Sequence, residues 1–181
     1  MQGRSEGDPP GPDGNDIVLQ TERLTLTALT RLHEAEHALA SKNAADALRD
    51  TRAAEVQWRE HGFGPWAIRN RLDDSFLGGA ELRFAGDGIE GIAPDEVEAG
   101  WWVTENRRNE GIATEAMEAA IDDLWDRSDV ESITAYIEEG ENEPSRRLAA
   151  KLGFKVRGSG RGRSAEPMVV YELRRGDWRR L

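Results

Sequence analysis

The sequence predicts a single α/β domain with a mixed sheet of six or seven strands and about four helices, and three stretches lead to that prediction. Val97-Glu98-Ala99-Gly100-Trp101-Trp102-Val103 is rich in β-branched and aromatic residues, as strands are. Directly after it, Ala113, Ala116, Met117, Ala120, Ile121, Leu124 and Trp125 recur at steps of three and one, which is one face of an α-helix. Val130, Ile133, Ala135 and Ile137 then mark a further strand within Asp129–Glu138. Strand, helix and strand in that order make a parallel pair with a right-handed crossover. The 181 residues suffice for one domain with a real core and are too few for two large ones.

Taken in order, residues 1–16 are almost all Gly, Pro, Asp and other polar types. They cannot bury enough apolar area to offset the entropy of ordering, so a disordered tail is expected, with the domain spanning 17–181. Ile17 to Ala28 alternates in two pieces whose apolar positions switch from odd to even, which predicts a strand broken near Thr21-Glu22. Arg31–Ser41 and Ala44–Glu60 are rich in Ala, Leu, Glu and Arg and are predicted helices. Gly62-Phe63-Gly64-Pro65 ends the second, and Trp66–Arg69 opens the next strand. A polar turn at Arg71–Ser75 leads to the strand Phe76–Phe84, giving a hairpin. Ala85–Asp95 is an acidic, Gly-containing loop. After the central strand, helix and strand, Asn142-Glu143-Pro144-Ser145 starts a short helix, since proline suits a first turn. Gly153 is its expected left-handed cap. Phe154–Val156 is a strand, Gly158–Pro167 a mobile loop carrying Arg161 and Arg163, and Met168–Leu173 the last strand.

Composition excludes several classes of function. Net charge is −11, from 35 acidic and 24 basic residues, which argues against general nucleic-acid binding and against adsorption to anionic membrane. A polyanionic ligand must be held by local groups against that field. There are no cysteines, hence no disulfide, thiolate metal site or cysteine nucleophile. His33 and His37 stand four apart on a predicted helix, a metal-compatible spacing, but their acidic neighbours favour a solvated surface, and no metal site is expected. No run is long enough to span a membrane and the N-terminus has no hydrophobic signal core, so a cytoplasmic protein is expected.

The turn between the central strand and its helix carries the main chemical signal. Arg108-Asn109-Glu110-Gly111-Ile112-Ala113 fits the pattern Arg/Gln-x-x-Gly-x-Gly/Ala. Small residues let a pyrophosphate approach, and the N–H groups of about Gly111 to Thr114 lack partners inside the helix. Arg107 or Arg108 can add charge-assisted bonds. The turn is no Walker loop, because no Gly-Lys-Ser/Thr follows, and no dinucleotide fingerprint, because the third glycine is missing.

Four stretches in the right order resemble the GNAT superfamily of acyl-CoA-dependent N-acetyltransferases, in particular the ribosomal-protein N-terminal acetyltransferase-like branch. They are Gln20–Leu26, Gly62–Ala67, Glu98–Val103 followed by Arg108–Ala116, and Asn142–Leu148 with Lys151–Phe154. The resemblance covers about residues 17–175. It implies a bent GNAT-like sheet whose fourth strand (97–103) splays from the fifth (129–138). It also implies acetyl-CoA as the acyl donor, with Trp101–Thr104 supplying the backbone edge for the pantetheine arm. The cofactor-binding set is then Trp102, Val103, Arg107, Arg108, Asn109, Glu110, Gly111, Ile112, Ala113, Thr114, Asn142 and Ser145. Alternation puts Trp101 and Trp102 on opposite faces, so at most one should line the acceptor pocket.

Further roles follow from the same resemblance. Glu98 stands where some members keep a general-base glutamate, although an ordinary strand carboxylate paired with an arginine is the equal alternative. A backbone N–H near Val103 would polarise the thioester carbonyl. The tyrosine that many relatives use as general acid is absent from the helix after the fifth strand. Ser145 stands there instead, a weak acid that can orient the sulfur or simply cap the helix. Asn142 would bond the pantetheine amide. Tyr136 and Tyr171 lie in strands and are expected to pack, and Arg161 and Arg163 to sit in a solvated loop. The expected function is acetyl transfer from acetyl-CoA to a primary amine, either a protein N-terminus or a small amine, with a homodimer compatible. The alternatives are a non-catalytic acyl-CoA-binding sensor or scaffold and, more remotely, a nucleotide-binding domain.

Overall fold

The computed structural model describes residues 17–41, 44–140 and 142–180; the N-terminal stretch expected to be a disordered tail lies outside them. Ile17–Ala28 folds as two strands, β1 (Val18–Gln20) and β2 (Leu24–Ala28), paired antiparallel. The phase switch near Thr21-Glu22 is therefore a turn between two strands, closed by Thr21 N–H donating to the Leu24 carbonyl at 3.0 Å. That hairpin brings the sheet to eight strands instead of six or seven. A single 3-10 turn at Arg31–His33 leads into α1 (Glu34–Ser41), and α2 (Ala44–His61) follows. Then come β3 (Trp66–Asn70), β4 (Phe76–Phe84), β5 (Val97–Val103), α3 (Ile112–Arg127), β6 (Ser132–Glu138), α4 (Glu143–Lys151), β7 (Lys155–Arg161) and β8 (Pro167–Arg174).

The strand order is β1-β2-β3-β4-β5-β6-β8-β7, and every neighbour is antiparallel except β5 and β6. Alternation along each strand sends side chains to two different layers. Ile68 of β3 packs into the main core with Met117, Ala120, Ile121 and Leu124 of α3, whereas the adjacent Ala67 packs with Ala54 of α2 on the other face. The larger α3 side chains each contribute about 1.5–3 kcal/mol on burial. That apolar face is why the helix lies flat on the sheet and brings its N-terminus to the end of β5.

Two expectations need correction. The stretch from Gly158 is not a mobile loop, because β7 continues through Arg161 and pairs with β8 as far as Pro167. Gly160 serves close packing: a Cβ there would strike the Glu90 carbonyl, and Glu90 N–H donates to the Arg161 carbonyl at 2.9 Å. The histidines expected on a solvated surface are buried. His33 is 8% exposed and accepts the Thr30 N–H, and His37 is 4% exposed with its ring against Trp102.

Candidate active site

β5 and β6 are paired only at Val97–Ile133 and Glu98–Thr134. Beyond those pairs they splay, and the V between them opens into a cavity of about 720 Å³. Thr104 N–H donates to Leu77 on the β4 side at 2.8 Å. The alternating direction of strand backbone groups therefore turns the polar groups of Val103 towards the V. Arg108 Nε lies 3.4 Å from the Val103 carbonyl, on that open side.

The far end of the cavity is the start of α3. Asn109 (φ 66°) and Gly111 (φ 78°) are both left-handed, which turns the chain sharply into the helix. The N–H groups of Ile112, Ala113 and Thr114 begin the helix and have no carbonyl behind them in it. Gly111 accepts the Glu115 N–H at 3.1 Å. The turn is braced from below: Glu115 accepts Thr21 Oγ1, the Arg23 N–H at 3.0 Å and Arg23 Nε at 2.7 Å, while Arg23 Nη1 donates to the Glu110 carbonyl at 3.0 Å. α4 supplies the other wall with Asn142, Pro144, Ser145, Arg147, Leu148 and Lys151. Among the described residues, the Ser145 hydroxyl has no protein hydrogen bond.

A second cavity of about 250 Å³ adjoins the first, and Trp101, Trp102, Asn142 and Ser145 line both. Its polar wall comes from one face of three strands: Glu81 and Arg83 of β4, Glu98 of β5 and Tyr136 of β6. Arg83 stands opposite Glu98 in the β4–β5 register. Its Nη2 lies 3.5 Å from Glu98 Oε1 and 3.5 Å from Glu81 Oε2. Arg163 Nη2 lies 3.7 Å from Glu98 Oε2, an ion pair beyond hydrogen-bond reach, so that oxygen is buried without a hydrogen-bond partner. Burial pushes the Glu98 carboxyl above the usual carboxylate range, against the pull of Arg83 and Arg163. Burial and the Glu98 charge likewise push the Tyr136 phenol up.

The model of the acetyltransferase (GNAT) domain matches residues 22–155, most of the chain. The chain belongs to the GNAT acetyltransferase family. Solved structures share the fold. A GnaT-family acetyltransferase from Bordetella pertussis is 23% identical, with 86% of this chain and 98% of that one covered and a TM-score of 0.76. The ribosomal-protein-S5-alanine acetyltransferase from Vibrio fischeri is 14% identical over 91% and 100% of the two chains, with a TM-score of 0.69. Mycobacterium smegmatis RimJ, solved with CoA-disulfide, is 19% identical over 92% and 90%, with a TM-score of 0.68. No curated protein matches the chain.

This GNAT enzyme brings together nearly all the residues singled out from its sequence. Trp102, Val103, Arg107, Arg108, Asn109, Gly111, Ile112, Ala113, Thr114, Asn142 and Ser145 line the larger cavity. Glu110 does not: its carboxylate pairs with Arg107 Nε at 3.0 Å. Both tryptophans border both cavities, although their rings diverge. Trp101 stacks edge-on with Phe154, and Trp102 lies between His37 and Phe76. Arg147 and Lys151 were missed, though their i, i+4 spacing on α4 was a readable signal. Glu81 and Arg83 were missed too, Tyr136 was expected only to pack in its strand, and Arg163, expected in a solvated loop, has a side chain 42% exposed yet also reaches Tyr136 and Glu98. The residues present fit a CoA thioester: a left-handed glycine, open N–H groups and Arg108, Arg147 and Lys151 surround one elongated cleft. Among the described residues no helix is long and apolar enough to cross a membrane, and no cluster of metal-type side chains is found.

Proposed function

We propose that the protein transfers the acetyl group of acetyl-CoA to a primary amine by direct attack in a ternary complex. Acetyl-CoA, when bound, supplies an activated acyl carbonyl and a thiolate leaving group. The N–H groups of Ile112 to Thr114 and the cations Arg108, Arg147 and Lys151 hold phosphate charge. The backbone N–H of Val103 polarises the carbonyl oxygen. Glu98 takes the proton of the attacking amine, directly or through water. Ser145 orients the sulfur or passes it a proton from water. The raised Glu98 pKa suits a base working near neutral pH better than an ordinary carboxylate would.

One observation carries this reading. A buried carboxylate stands at the point where the strands part, in the wall of a small cavity that shares Asn142 and Ser145 with the phosphate-binding cleft. A sensor that only bound acyl-CoA would need the cleft but not Glu98. The acceptor is a protein N-terminal α-amine or a small amine. The likeness to the Vibrio fischeri ribosomal-protein-S5-alanine acetyltransferase supports the first. Thermal unfolding with acetyl-CoA, CoA and ATP tests the donor: the two CoA species should raise Tm and ATP should not. No shift with either CoA species rules out enzyme and sensor alike.

A further inference from the structure

The turn between β7 and β8, residues 162–166, carries Arg163 to the acceptor end of the cleft. It is closed on itself: Gly162 N–H donates to the Glu166 carbonyl at 2.9 Å, Ala165 N–H to the Gly162 carbonyl at 2.9 Å, and Ser164 N–H to Glu166 Oε2 at 2.9 Å. The strand before it is fastened to the 85–95 loop through Glu90 and Arg161. The guanidinium is thus delivered from an anchored backbone. One nitrogen donates to Tyr136 Oη at 2.8 Å, and the other donates to the Ala85 carbonyl and lies 3.7 Å from Glu98 Oε2. The guanidinium also sits 5.9 Å from the centre of the Tyr136 ring.

We propose that Arg163 is a positioning residue for acetyl transfer: pinned by Tyr136 and Ala85, its guanidinium lies against Glu98 and keeps that carboxylate anionic at the wall of the acceptor cavity. The role presupposes Glu98 as the proton acceptor proposed above. Four groups face Glu98: Glu81 and Arg83 from β4, Tyr136 from β6 and Arg163 from the β7–β8 turn. Arg83 acts on Glu98 more strongly than Arg163 does, but its guanidinium is divided between Glu81 and Glu98, with Asp50 of α2 also acting on it. Arg163 faces the other oxygen, the one without a hydrogen bond. Without it, Glu98 would keep a single cation, Arg83, which it shares with Glu81, and the protonated form would gain. A protonated Glu98 cannot accept the amine proton.

Carbon-13 NMR of labelled glutamate carboxyls in the full chain reads this directly, with Glu98→Gln assigning the signal. In Arg163→Met the Glu98 midpoint should rise by about one pH unit, and in Arg163→Lys it should stay near the wild-type value. With acetyl-CoA and a peptide bearing a free N-terminus, the acid limb of kcat/KM should move by the same amount, about tenfold in rate below the midpoint. KM for acetyl-CoA should not change. Should Arg163→Met prove unstable, Arg163→Gln carries the same test. An unmoved midpoint with an inactive Glu98→Gln overturns the role of Arg163 and leaves the base intact. A midpoint that moves while Glu98→Gln keeps full turnover overturns the base, and the role of Arg163 in transfer with it.

Discussion

Glu98 is the last residue of β5 to be paired with β6, and its partner is Thr134. The carboxylate therefore stands at the apex of the V. Thr134, fully buried, ties the apex by donating its hydroxyl to the Val97 carbonyl at 3.1 Å. An open strand edge and a buried carboxylate arise at the same residue for the same reason: pairing stops there, and the two strands diverge around what enters between them.

The rate should follow the ionisation of Glu98. Its carboxyl is held above the usual range by burial, so it is protonated, and idle as a base, to a higher pH than a surface glutamate. kcat/KM should rise with pH through that raised value and then level off. Glu98→Gln should remove this limb and lower kcat by roughly 10²–10³. Steady-state kinetics from pH 5 to 9 check it, and a wild-type profile without an acid limb would exclude Glu98 as base.

Ser145 lines both cavities, and its hydroxyl has no protein partner among the described residues. A cap would show a bond back to the helix start; Asn142 occupies the cap position, and its side chain makes no capping bond. Ser145→Ala should therefore lower kcat about tenfold, the worth of one hydrogen bond of about 1.4 kcal/mol, with little change in stability. A lower Tm with unchanged kcat would indicate a purely structural serine.

Gly111 has φ 78°, and a side chain there would project near Arg23 Nη2, 3.5 Å from the Cβ position. Gly111→Ala should cost about 1–2 kcal/mol from the left-handed backbone alone. Gly111→Glu adds a negative charge to the phosphate cradle and should weaken CoA binding about a hundredfold or more, some 2.7 kcal/mol. Calorimetry measures both, and unchanged CoA affinity in the glutamate variant would refute the cradle.

Glu115 ties α3 to the β1–β2 turn. Burial acts to raise its pKa, but the Thr21 hydroxyl and the Arg23 amide and guanidinium more than offset that and hold it below the usual range. Its stabilisation is thus present above the unfolded-state value of about 4.3 and is lost as pH falls through the lower folded value. Glu115→Ala should cost about 2 kcal/mol at pH 7, roughly 4–8 °C in Tm, with the gap to wild type closing towards pH 3. Calorimetric melting across that range measures it.

What was legible in the sequence was periodic or local. Phe76–Phe84 and Val97–Val103 were found to the residue, because each is a long run bounded by turn residues. The cradle could be read because its chemistry lies within six consecutive positions. The wall of the second cavity could not, because it is assembled by register: Arg83 meets Glu98 only through antiparallel pairing, and Arg163 arrives from a turn 65 positions later than Glu98. Gly158 to Arg161 looked like a loop because glycine is ambiguous between freedom and close packing, and only the Glu90 backbone lying against it decides. The buried histidines were misjudged because tertiary contacts set their burial: Thr27 and Thr30 bond His33, and Trp102, remote in sequence, packs against His37.

The most direct test is amine-dependent release of CoA thiol from acetyl-CoA by the full chain, measured with peptides bearing free N-termini and with small amines, for wild type and Glu98→Gln. Release that requires an amine and falls at least tenfold in Glu98→Gln, with CoA affinity unchanged, is the predicted result. CoA binding without release above the uncatalysed rate for any amine would contradict it and leave a binding module.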